Sequence, residues 1–191
     1  MQEILLAEST AISSVIVSDT FIHALEALQK CTGKVVVTGI GKAGHIAQKF
    51  AATLCSTGTP ATYLHPAEAS HGDLGLISPK DVIVAFSTSG KSIEVLEMLK
   101  LARHLGELTV IGITSHPDSE LRTLSDIILD MGEVDEPCRH GLTPSASIAV
   151  MLAIGDALAL TLMDVKGVTR QEYGLRHHGG YLGRKARVEN G

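Results

Sequence analysis

The sequence predicts an α/β chain: a doubly wound, five-stranded parallel sheet sandwiched by helices. Two observations carry this. Short runs that are apolar on both faces recur along the chain, as in strands covered on either side. Gly- or Ser-rich loops and amphipathic stretches alternate with them, the pattern of parallel strands joined by crossover helices. The length of 191 residues suits one substantial core and is too short for two comfortable domains. The expected strand order is flavodoxin-like.

The elements follow in order. Leu5, Ile12, Val15, Ile22, Leu25 and Leu28 recur at helical spacing, which predicts one opening helix over residues 3–29, stopped near Thr32-Gly33. Strands are expected at 34–38, 60–64, 81–87, 108–114 and 127–130. Amphipathic helices are expected at 44–56, 92–105 and 118–124. The stretch 145–165 is apolar nearly throughout, as in a helix buried against a sheet or a second subunit. No Pro-, Gly- or Ser-rich linker divides the chain, so 1–191 reads as a single domain. The segment 169–191, rich in His, Gly and Arg, reads as an ordered functional arm.

Composition narrows the function classes. Hydrophobic residues make up 45% and charged ones 19%, the balance of a packed globule. Aromatics are only 3% and the net charge is −5, so neither base-stacking platforms nor basic surface for nucleic acid are expected. Cys31, Cys55 and Cys138 form no CxxC pair, which argues against a zinc knuckle or disulfide framework. The opening MQEILLAEST lacks a signal peptide's basic n-region, and no run is read as approaching the ~20 apolar residues of a membrane helix. The expectation is a cytoplasmic protein without a membrane partner.

Five segments carry chemistry. Gly39-Ile40-Gly41-Lys42-Ala43-Gly44 joins the first strand to a helix. It fits GxGxxG, but no acidic residue ends the next strand, which argues against a dinucleotide; a tight strand-to-helix turn explains the glycines equally well. Lys42 at that elbow would serve a phosphate or a hydroxyl gaining charge. Ser87-Thr88-Ser89-Gly90-Lys91-Ser92 follows the third strand, with Glu94 in the next helical turn. Hydroxyls and free N–H groups at a helix start make a phosphate cradle. An N-cap at Ser92 accounts for one hydroxyl, not four. The third segment, His65 to Gly75, places His65, Glu68, His71 and Asp73 in one loop, as proton-transfer groups or metal contacts without the spacing of a closed zinc site. The fourth runs from the acids Glu133, Asp135 and Glu136 through Cys138 to Pro144, which suits a first helical turn. The fifth is His177-His178-Gly179-Gly180-Tyr181-Leu182-Gly183-Arg184-Lys185.

Together, GIGKAGHIAQK, STGTPATYLHPAEASHGDLG, STSGKSIE, LTPSASIAVMLAIGDALA and HHGGYLGRK resemble, in order and spacing from about residue 34 to 185, the sugar-isomerase (SIS) domain of the arabinose-5-phosphate isomerase family. The resemblance implies an aldose–ketose isomerase that interconverts D-arabinose 5-phosphate and D-ribulose 5-phosphate for Kdo, lipopolysaccharide or capsule supply. It places the family's functional lysine on Lys42 and its glutamates on Glu94 and on Glu136 or, one register away, Asp135. Its histidine falls on His177, and its substrate contacts on Gly58, Thr59, His65, His71, Ser87, Thr88, Ser89 and Ser92. No redox cofactor and no metal are implied, with His65 a contact for an inhibitory ion. Family members typically carry a pair of CBS domains after the isomerase domain; this chain is expected to be the single-domain form. A homotetramer with shared active sites is expected by the same analogy.

Moving a proton between C2 and C1 through an enediol needs a base at carbon, an acid–base group at oxygen and stabilisation of the developing charge. The expected roles are Glu136 or His177 as carbon base, His71 as oxygen-proton shuttle, Lys42 on the oxyanion and Glu94 orienting Lys42. Glu136 would serve best if burial raised its pKa. The alternatives are an isomerase of hexulose 6-phosphate or sedoheptulose 7-phosphate, and a sugar-phosphate sensor without turnover.

Overall fold

The structure is a computed structural model and describes residues 1–188. Strands β1 (Val35–Gly39), β2 (Ala61–Tyr63), β3 (Val82–Phe86), β4 (Thr109–Thr114) and β5 (Ile127–Asp130) form one parallel sheet in the order β2-β1-β3-β4-β5. Val35 registers with Ala61 on one side and Val82 on the other, and Val82 with Thr109. This is the flavodoxin-like order that the sequence predicts, and each strand coincides with its expected run to within a residue.

The sheet is buried on both faces because its strands are apolar at odd and even positions alike. Val82, Val84 and Phe86 point into one core layer with Phe50, Leu54, Ile154 and Leu158. Ile83 and Ala85, between them, enter the other layer with Val95, Leu99 and Leu121. The first layer is covered by α2 (Asp19–Lys30), α3 (Gly41–Ser56) and α7 (Ala146–Val165), the second by α5 (Ile93–Ala102) and α6 (Glu120–Leu124).

Three expectations are corrected. The opening helix is two helices, α1 (Gln2–Ser13) and α2, which meet at residues 14–18. Val15-Ile16-Val17 is a β-branched run that favours extended backbone. Ser18 then takes the extended N-cap position of α2, its Oγ 2.9 Å from Thr20 Oγ1. Secondly, α7 does have the length and apolarity of a membrane span. Half of it is nevertheless buried in the fold, along a stripe through Val150, Ile154, Leu158 and Leu162. Gly155 lets Phe50 of α3 approach, since a Cβ there would lie 3.3 Å from the ring. Asp156 pairs with Lys49 on α3. α7 is a core helix.

Thirdly, the loop after β2 folds into α4 (Pro66–Ala69) and a 3₁₀ turn, Asp73–Leu76. The arm that starts at residue 169 is likewise helical, as α8 (Arg170–Arg176) and α9 (Gly180–Val188). A capping box starts α8: Thr169 Oγ1 accepts from the Glu172 N–H at 3.2 Å, and Glu172 Oε2 accepts from the Thr169 N–H at 2.8 Å. Residues 189–191 of the expected arm lie outside the described residues.

Candidate active site

All five strands run the same way, so the loops at their carboxyl ends gather on one edge of the sheet. The strand order reverses between β1 and β3, and a crevice opens at that point in sheets of this kind. Lys42 follows β1, residues 87–92 follow β3, His116 follows β4 and Glu136 follows β5. Together they line a cavity of about 450 Å3, with Ser147 from the start of α7.

The 87–92 loop is a closed structure. Gly90 has φ +61° and sends its N–H to Ser87 Oγ at 3.1 Å. A Cβ there would lie 2.4 Å from Ser119 Oγ, so only glycine fits. The Thr88 carbonyl accepts from Thr114 Oγ1 at 3.1 Å and from the Ser115 N–H at 3.0 Å, tying the loop to the end of β4. Ser92 occupies the N-cap of α5 without making a side-chain cap. Its Oγ lies 3.0 Å from Ser87 Oγ instead. The first N–H groups of α5 have no partners within the helix, and together with the seryl hydroxyls they suit an anion.

The glycines after β1 serve packing and turn geometry. Gly41 has φ +60°, and a Cβ on Gly44 would lie 2.8 Å from the Gly39 carbonyl oxygen. Tyr63 donates its hydroxyl to that oxygen at 2.8 Å. Lys42 is exposed at the cavity mouth. No ion pair joins Lys42 to Glu94 among the described residues, so the expected orienting contact is absent within one protomer. Glu94 lies exposed in the first turn of α5, outside the cavity lining.

Glu136 is in the cavity, whereas its neighbour Asp135 lines a separate groove beside α1. The Glu136 carboxylate sits across the N-terminus of α7. It accepts from the N–H groups of Ser145 (2.8 Å), Ala146 (2.9 Å) and Ser147 (3.3 Å), from Ser145 Oγ (3.2 Å) and from Ser147 Oγ. Burial pushes its pKa up, but the bonds from Ser147, Ser145 and Ala146 outweigh that and hold it below the ordinary carboxylate value. The rise that would have suited a carbon base is therefore reversed. Two residues on, Cys138 Sγ accepts from the N–H groups of Thr143 (3.2 Å) and Leu142 (3.3 Å). These bonds, the Thr143 N–H foremost, lower the thiol to about 6.

Of the residues expected at the site, one protomer brings together Lys42, Ser87, Thr88, Ser89, Ser92 and Glu136. His65 and His71 lie on the same edge of the sheet, beyond β2, outside that lining. His65 is the N-cap of α4, its ring edge-on to Tyr63 at 6.3 Å, and His71 follows α4, exposed. Gly58 and Thr59 precede β2 and so lie at the opposite edge, where Thr59 Oγ1 accepts from Lys166 Nζ at 2.9 Å. His177 belongs to that edge as well. The preceding residue, Arg176, is close enough that a Cβ on Gly58 would lie 3.2 Å from its guanidinium. The His177 ring stacks on Tyr173 at 4.1 Å, and its Nδ1 is 2.9 Å from the Tyr173 carbonyl oxygen. Among the described residues, no three His, Cys, Asp or Glu side chains are grouped to hold a metal ion.

The sequence reading missed His116 and Ser147. The available signal was position: His116 stands two residues beyond the carboxyl end of a central strand, as Ser87 stands one beyond its own.

Comparison with known proteins agrees with the fold. Residues 27–161 match the SIS domain family. The chain is 43% identical over 180 residues to arabinose 5-phosphate isomerase KdsD of Pseudomonas aeruginosa, covering 93% of this chain and 55% of that protein. With the Yersinia pestis KdsD it shares 45% over 169 residues, 88% of this chain and 51% of that one. The chain thus spans about half the length of the curated relatives it matches. Among solved structures, a Bacteroides fragilis protein described as a phosphosugar isomerase involved in capsule formation superposes with a TM-score of 0.91. It is 43% identical, over 94% of this chain and 96% of that one. An Escherichia coli CFT073 protein in complex with arabinose 5-phosphate superposes with a TM-score of 0.88 at 39% identity, over 92% of this chain and 94% of that one.

Proposed function

Because the chain belongs to the SIS-domain family, we propose that it is an aldose–ketose isomerase that interconverts D-arabinose 5-phosphate and D-ribulose 5-phosphate. The observation that carries this reading is a cavity in which a hydroxyl-lined anion cradle meets a cation, Lys42, and an ionised carboxylate, Glu136. The identity to KdsD proteins and the likeness to a protein solved with arabinose 5-phosphate support the choice of substrate.

In this reading the 5-phosphate rests on residues 87–92 and directs C1 and C2 across the cavity. Glu136 takes the C2 proton of the aldose and returns it to C1. The C2–H pair enters the enediol double bond, O1 gains a proton and O2 gives one up. Lys42 stabilises the negative charge that develops on these oxygens. A carboxylate held below its ordinary pKa is a weak base but is fully ionised at neutral pH, so stabilisation of the enediolate carries more of the rate. The oxygen protons fall to histidine, either His71 or the His177 of a neighbouring subunit. A homotetramer with shared sites is supported by two observations. His177 lies on the sheet edge away from the cavity, and Ile4, Leu5, Leu6, Ile16, Val17 and Ile22 are exposed on α1, α2 and the segment between them. The enzyme works in the cytoplasm, supplying Kdo or capsule precursors, without a membrane or nucleic-acid partner.

The test is to incubate purified protein with D-arabinose 5-phosphate in deuterated water. Formation of D-ribulose 5-phosphate and proton exchange at C2 are expected. Turnover of a hexulose 6-phosphate or sedoheptulose 7-phosphate in its place would move the substrate assignment. Phosphate-ester binding with neither turnover nor exchange would make the chain a sensor.

A further inference from the structure

We propose that His116 is a phosphate-binding residue, the cation that completes the seryl cradle; this deepens the isomerase reading and rests on it. Residues 87–92 line the cavity with hydroxyls, while Lys91 is exposed and outside the lining. The lining side chains able to carry positive charge are Lys42 and His116. The sheet order β1-β3-β4 places them on opposite flanks of the loop, Lys42 on the β1 side and His116 on the β4 side. A substrate seated on the loop with its carbons toward Lys42 therefore turns its phosphate toward His116.

The ring is held for this task. Its Nδ1 lies 3.2 Å from the Thr88 carbonyl oxygen. A carbonyl oxygen only accepts, so Nδ1 carries the hydrogen and Nε2 is left for a ligand. The backbone beneath is fixed too: Arg122 Nε donates to the His116 carbonyl at 2.7 Å, and Arg122 Nη2 donates to Asp130 Oδ2 at 2.7 Å. The charged groups on the elements that flank the ring are Lys42 and Glu136 in the cavity lining, Lys91 in the 87–92 loop, the Arg122–Asp130 pair, and Asp118 on its own segment. A phosphomonoester dianion meets an imidazole lone pair unfavourably and an imidazolium N–H favourably. In the imidazolium both ring nitrogens carry hydrogen, so Nε2–H donates to a phosphate oxygen while Nδ1–H keeps the Thr88 carbonyl.

Asparagine separates the two roles of the ring, because its amide nitrogen stands where Nδ1 does and nothing replaces Nε2. His116→Asn should raise KM for arabinose 5-phosphate about tenfold or more, as for loss of a hydrogen bond to a charged group, with kcat within about twofold. The Kd of inorganic phosphate, read by calorimetry, should weaken in parallel. His116→Lys, which keeps a cation, should hold both constants within about threefold of wild type. Unchanged KM and phosphate Kd in His116→Asn would overturn the proposal, as would a fall confined to kcat. The phosphate measurement needs no turnover, so a wild-type protein inactive on arabinose 5-phosphate would defeat the isomerase reading while His116 is still judged.

Discussion

Glu136 was legible in the sequence as an acid near the site, but its electrostatic state was not. Its hydrogen-bond partners, Ser145 to Ser147, are nine to eleven residues away and become neighbours only when α7 starts beside it. The sign of its pH dependence follows from the lowered pKa. A carboxyl depressed on folding adds stability above its unfolded value of about 4.5 and loses it as pH falls through the lower folded value. At neutrality Glu136 therefore adds no slope to stability; the slope appears as pH falls toward about 4.5, where the unfolded carboxyl takes up protons while the folded one is still ionised. Glu136→Gln should lower kcat by about 10²–10⁴-fold, the usual worth of general acid–base action. It should also destabilise by about 1–3 kcal/mol, because its amide N–H₂ faces donors at the α7 start. A thermal melt together with steady-state kinetics checks both; unchanged kcat would remove Glu136 from the chemistry. Cys138 gives a reporter for the same turn. Its alkylation rate by iodoacetamide should rise with pH around a midpoint near 6. A midpoint near the ordinary value of 9 would mean that the Leu142 and Thr143 N–H groups do not face the sulfur in solution.

The strands were the most legible elements, because a strand buried on both faces leaves an unbroken apolar run that needs no partner to be recognised. Helices packed on other helices were less so. The 3–29 periodicity is real in each of α1 and α2, yet spacing alone does not register the cost of carrying Val15-Ile16-Val17 through a helix. The tail shows the converse: Thr169-x-x-Glu172 is a capping box in plain sequence, but the glycines at 179–183 drew the reading toward an arm rather than helices. The 87–92 loop was legible in its hydroxyls and not in its anchoring, since Ser119 and Thr114 approach Gly90 from other elements. That anchoring is testable. Gly90→Ala places a Cβ against Ser119 and demands a left-handed backbone of alanine, which costs about 1–2 kcal/mol before any clash. The melting temperature should drop and KM for the phosphorylated sugar should rise more than kcat falls. Equal KM would show that the loop geometry is not what holds the phosphate.

At the scale of the whole molecule, the residues of the proposed site divide between opposite edges of one protomer's sheet. Lys42, the seryl loop and Glu136 share the carboxyl edge, and His177, Gly58 and Thr59 the amino edge, with β1 to β5 between them. An edge-to-edge distance of about five strand residues, at ~3.3 Å each, is too far for a side chain to cross within one chain. In the proposed reading association unites them, and the apolar groove of about 400 Å3 between the α1–α2 region and α7, lined by Val17, Ile22 and Leu158, offers surface for it. This separation makes a sharp prediction about mixtures. Lys42→Ala and His177→Ala proteins should each be nearly inactive alone. Dissociated, mixed one to one and reassembled, they should regain about a quarter of wild-type activity, because random assembly pairs an intact Lys42 with a neighbour's intact His177 in about one site in four. The recovery should vanish on dilution to monomers. If each protomer instead completed its own site, no pairing of subunits could repair either lesion, and the mixture would stay as inactive as its parents.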